Sequence, residues 1–144
     1  MGMTVKTALR EKAKLVAEGK ALAEIIKAYN SIEEGNPRRY SILETISKLD
    51  EVTNRLVELK SKIHKANMPV YDKIFLMAEL KGQVKILKAM PIEEGKTYER
   101  YGSVLSVKSV EINVAERNSM VKAIETKIEK LQDELDFHNA TTEV

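Results

Sequence analysis

The sequence predicts an all-α protein: an antiparallel four-helix bundle of long helices, with a β-hairpin inserted between the third and the fourth. Three observations predict it. Apolar residues recur at steps of three and four over long stretches, which puts them on one stripe of a helix. Thr, Ser or Asn stands just ahead of three of these stretches, where a side-chain oxygen can cap the free amides of the first turn. One short stretch, 96–112, breaks the helical period with β-branched and aromatic residues around Gly102-Ser103. The 144 residues are expected to form a single domain.

The first helix is expected over 4–30, with Thr4 as cap and a stripe of Val5, Ala8, Leu15, Leu22, Ile26 and Tyr29. Lys12 and Gly19 interrupt that stripe. Gly35-Asn36-Pro37 ends the unit, because glycine supplies a left-handed turn and proline cannot continue the ladder.

The second helix is expected over 41–67. It opens with Ser41-Ile42-Leu43-Glu44 and runs through Ile42, Leu49, Val52, Leu56, Leu59, Ile63 and Ala66. The third, 69–90, is stopped by Pro91 and carries apolar residues around most of its circumference. A helix of that kind is either central or packed on another subunit. In a four-helix monomer each helix keeps one wet face, so a homo-oligomer contact is expected at Ile74, Phe75, Met77, Val84 and Ile86.

The hairpin places strands at 97–101 and 104–112. Because an isolated two-stranded hairpin is marginal in water, it is expected to lie across the bundle or against another chain. The fourth helix, 113–139, starts at the capping box Asn113-Val114-Ala115-Glu116 and seams through Val114, Val121, Ile124, Ile128, Leu131, Leu135 and His138. A shift of 72 residues, from Ser41 to Asn113 and from Asn67 to Asn139, would superpose the caps, stripes and closing asparagines of helices two and four, as two related hairpins would.

Short connections imply up-down-up-down order, with helices one and four as antiparallel neighbours. The charges agree. Helix one begins with Lys6, Arg10, Lys12 and Lys14, and helix four ends with Asp133, Glu134 and Asp136. Each set has the wrong sign for its own macrodipole and would compensate the other side by side.

Composition excludes several classes of function. The 24 basic and 22 acidic residues nearly cancel, so no global field points to nucleic acid or an anionic membrane. Cysteine is absent, which removes disulfides, thiolate metal sites and cysteine nucleophiles and fits a reducing cytoplasm. The longest apolar run, 74–78, falls far short of a bilayer span. A soluble cytoplasmic protein is expected.

Candidate chemistry is sparse. His64 and His138 are the only histidines and lack the tight local spacing of a metal motif. There is no Gly-rich phosphate loop and no nucleophile elbow. No catalytic, cofactor-binding or metal-ligating residue is assigned, and no cofactor is expected. Arg38, Arg39 and Tyr40, with Arg100 and Tyr101 in the hairpin, are candidate partner contacts, since arginine beside tyrosine can grip a phosphate or a base. Asn67, His138 and Asn139 are the polar positions of interest at the ends of the stripes. The asparagines read as helix C-caps.

Several of these blocks resemble one family. Tyr29-Asn30 with Glu33-Glu34-Gly35, then 63–67, and above all Val114-Ala115-Glu116, 124–135 and the ending Asn-Ala-Thr-Thr-Glu-Val at 139–144, resemble the septicolysin-like proteins, small bacterial proteins of unsettled function. The chain departs from that pattern at Asn67-Met68-Pro69-Val70, where the family has an Asp-Gly turn, and at 102–108, where a charged segment is replaced by apolar residues and serine. The resemblance implies a helical bundle, and the family name implies membrane damage.

Three functions are therefore expected in order. The first is a non-enzymatic helical protein that self-associates through helix three and the hairpin. The second is a membrane-active, cytolysin-like protein, and the third a weak nucleic-acid-binding module.

Overall fold

The computed structural model describes residues 2–144. The chain is mostly helical: α1 (Val5–Tyr29), α2 (Ile42–Asn67), a single 3-10 turn (Met68–Val70), α3 (Tyr71–Ala89), strands β1 (Gly95–Tyr98) and β2 (Val104–Lys108), and α4 (Val114–Thr141). Three of the four helices, all but α3, begin where side-chain oxygens hold the first turn. Thr4 Oγ1 accepts from the Thr7 amide at 3.2 Å, and Ser41 Oγ accepts from the Glu44 amide at 3.3 Å. At α4 the box closes in both directions: the Glu116 amide donates to Asn113 Oδ1 at 2.8 Å, and the Asn113 amide donates to Glu116 Oε1 at 3.4 Å.

The expected four-helix bundle is corrected. The helices do not share one core; the chain divides into two compact units, one of residues up to Pro69 with Asp136–Val144, the other Val70–Leu135. Each unit buries part of its own stripes, Val52, Leu59 and Ile63 in the first and Val121 and Leu135 in the second. Amphipathic periodicity states that a face must be covered, and says nothing of which helix covers it.

In the first unit α1 packs on α2 through a core of Ala8, Leu15, Val52, Leu59 and Ile63, flanked by Leu22, Leu56 and Val144. Gly19, which interrupts the α1 stripe, faces this seam. A Cβ built there would lie 3.7 Å from Val52 Cγ1 and 3.9 Å from Leu49 Cδ1, ordinary van der Waals contact, so an alanine would fit the seam. Among the described residues Thr45 is the one buried polar residue. Its Oγ1 donates to the Ser41 carbonyl at 2.8 Å, which satisfies it without a tertiary partner.

A short strand pairing closes the same unit. The Val5 amide donates to the Thr142 carbonyl at 2.8 Å, and the Val144 amide donates to the Met3 carbonyl at 2.9 Å. Val5 is fully buried beneath it. The expected antiparallel neighbours, helix one and helix four, meet in this limited sense. Lys6 and Arg10 line one hollow with Asp136 and Asn139, while Glu134 pairs instead with Lys73.

In the second unit α3 and α4 run antiparallel, tied by Lys73–Glu134 at 3.3 Å and Lys88–Glu125 at 3.5 Å. Val70, Leu80, Val84, Val121 and Leu135 are buried. The hairpin belongs to this unit. Its strands are antiparallel in the register Gly95↔Lys108, Lys96↔Val107, Thr97↔Ser106 and Tyr98↔Val104, with an irregularity after Thr97 that leaves Leu105 without a cross-strand partner. Gly102 turns the chain at φ 86°, a conformation that glycine adopts without steric cost. The strands are shorter than the sequence suggests, and every residue in them is exposed.

Candidate interaction surface

Arg38, Arg39 and Tyr40 lie in the loop between α1 and α2, and their roles separate. Arg38 donates through Nη1 to the Tyr29 carbonyl and through Nη2 to the Asn30 carbonyl, both at 2.9 Å. These carbonyls end α1 and have no amide ahead of them to accept from, so the guanidinium fork serves as their cap. The Tyr40 ring packs against Tyr29 with centroids 4.9 Å apart. Arg38 and Tyr40 are thus engaged with α1, while all three side chains remain exposed.

A hollow of about 490 Å³ opens here, lined by Asn30, Arg38, Arg39, Tyr40, Ser41, Ile42 and Leu43. Replacing Arg38 with alanine is expected to fray the last turn of α1 and lower stability by ~1 kcal/mol. Faster amide exchange confined to the end of α1 checks it.

Arg100 and Tyr101 sit at the hairpin tip, where Tyr101 is 88% exposed. They belong to the other unit.

The three polar positions fare differently from their expected roles. Asn67 is the last residue of α2 rather than its cap, a place taken by Met68. Its Oδ1 lies 3.1 Å from His138 Nε2, and His138 Nδ1 lies 3.0 Å from Thr142 Oγ1. With the proton on Nε2, the ring donates to Asn67 and accepts from the Thr142 hydroxyl, so both nitrogens are satisfied. His138 therefore ties α2 to the pairing strand. Asn139 lines the hollow with Lys6 and Arg10, and α4 runs past it to Thr141. No signal in the sequence joins Asn67 to His138, since the contact is made only in the folded unit. Among the described residues no group of three or more His, Cys, Asp or Glu is placed to hold a metal ion.

The α3 residues divide as well. Val84 is 9% exposed and belongs to the core of its own unit, which corrects its assignment to an outer face. Ile74 and Met77 are half-buried. Phe75 and Ile86 stand out, 61% and 71% exposed, and Phe75 is stacked on Tyr71 at 5.6 Å between centroids. Leu76, which the sequence reading did not single out, is exposed beside them. It lines a groove of about 310 Å³ with Leu80, Leu131, Lys127, Lys130 and Glu134.

No helix among the described residues is long and apolar enough to cross a membrane. Comparison with known proteins adds no relative: no family model, no curated protein and no solved structure matches this chain.

Proposed function

We propose that the chain is a non-enzymatic interaction protein of the bacterial cytoplasm, resembling the septicolysin-like proteins, that self-associates through α3 and the hairpin. One observation carries this reading: the apolar surface left in the open by the second unit. Phe75, Leu76 and Ile86 on α3 are exposed, together with Tyr98, Val104, Leu105 and Val107 on the hairpin. Apolar side chains left in water on one unit favour association when a partner covers them, and a two-stranded hairpin exposed on both faces gains most from being covered. The engagement of His138 and Arg38 in holding the fold supports a role without catalysis.

Sedimentation velocity across the micromolar range tests it, with a concentration-dependent assembly of defined stoichiometry expected. A monomer at the highest concentration would overturn the reading. The same residues would have to meet lipid in a membrane-active protein. Release of dye from liposomes by the monomer would replace self-association with that second reading.

A further inference from the structure

We propose that the groove of Leu76, Leu80 and Leu131 is filled by the α3 ridge of a second copy of this chain, in a two-fold arrangement where acids on α3 of one copy meet lysines on α4 of the other. This rests on the self-association reading above and specifies its contact.

The groove and the ridge lie next to each other on one unit. The groove floor is leucine; its rim carries Lys127 and Lys130, while Glu134 at the rim is already paired with Lys73. Neither Lys127 nor Lys130 makes an ion pair among the described residues. An occupant that fits is therefore apolar at its centre and acidic at its edge.

The exposed face of α3 has that composition. Asp72, Phe75, Glu79 and Ile86 follow at steps of three, four and seven, which places them on one stripe. Asp72 and Glu79 likewise make no ion pair among the described residues. Phe75 is stacked on Tyr71, which lowers the cost of ordering it against a partner. One chain thus carries both an acidic apolar ridge and a basic apolar groove.

A two-fold axis applies each contact twice, ridge into groove and groove over ridge, and closes after two copies. The leucines and Phe75 would supply the dry centre and the charges the rim, which is the usual anatomy of a stable interface. The rim charges set orientation and reject mismatched pairings.

Charge reversal with mixing tests this. Glu79→Lys and the double variant Lys127→Glu/Lys130→Glu alter exposed side chains, so each is expected to keep its helical circular dichroism. Each alone places like charges opposite each other at both copies of the contact, and is expected to raise the dimer Kd by about tenfold or more at low salt. An equimolar mixture of the two restores opposite charges at both contacts at once, and is expected to recover a heterodimer of near wild-type Kd.

Unchanged Kd in both variants would overturn this docking mode while leaving self-association standing. Dissociation without recovery on mixing would overturn the pairing of Glu79 with the lysines. A wild-type chain that stays monomeric would overturn the self-association reading itself, and the docking mode with it.

Discussion

Replacing Leu15 with alanine is expected to destabilise the first unit by about 3 kcal/mol, within the range for emptying a buried leucine site. Leu15 is 4% exposed and sits in the core shared by α1 and α2, between Ala8 on its own helix and Val52 and Leu59 on the other. The lost methyls leave a void that cannot collapse easily. For a chain of this size the loss corresponds to a fall in Tm of roughly 6–12 °C. Thermal melts followed by circular dichroism check the magnitude. A fall of only a degree or two would mean that the α1–α2 seam is loosely packed.

The second large effect is expected from Val84→Asp. Val84 is buried in the unit that contains α3, and a carboxylate there would be either charged without a partner or forced to protonate. Either outcome costs several kcal/mol. Because each unit carries its own buried residues, the damage is expected to be uneven. Amide protection should be lost from α3 and from α4 before Leu135, and retained across α1 and α2. Hydrogen exchange resolved by residue reads this directly. Loss of protection in both units together would show that they unfold as one cooperative body.

Local chemistry was the most legible part of the sequence. Thr4, Ser41 and Asn113 cap helices because an oxygen one turn from an amide needs no knowledge of the rest of the chain. Gly102 marks its turn for the same reason, and Pro91 ends α3 near the expected place. Tertiary choices were less legible. The stripes of α2 and α4 match in spacing, yet Leu59 is buried on the first while its counterpart Leu131 is half-covered and lines a groove. Periodicity could not distinguish them, so a single bundle was expected where two units exist.

The candidate site shows the same division. Arg38 read as a partner contact because it stands with Arg39 beside Tyr40. Its fork is committed to Tyr29 and Asn30 by the path of the intervening loop, which no local rule predicts. Asn67 and His138 were singled out separately, and only folding brings them within 3.1 Å. Phe75 and Ile86 were legible as apolar residues in excess of what one helix face can hide.

The irregularity in the hairpin has one further consequence. Leu105 is the extra residue that twists β2 out of regular pairing, and Lys96 and Lys108 stand along the short strands. Kinks and lysines at a sheet border are the means by which proteins discourage other strands from adding one after another. A sticky but crooked ribbon of this kind is expected to resist growth into fibrils, even when heated close to unfolding.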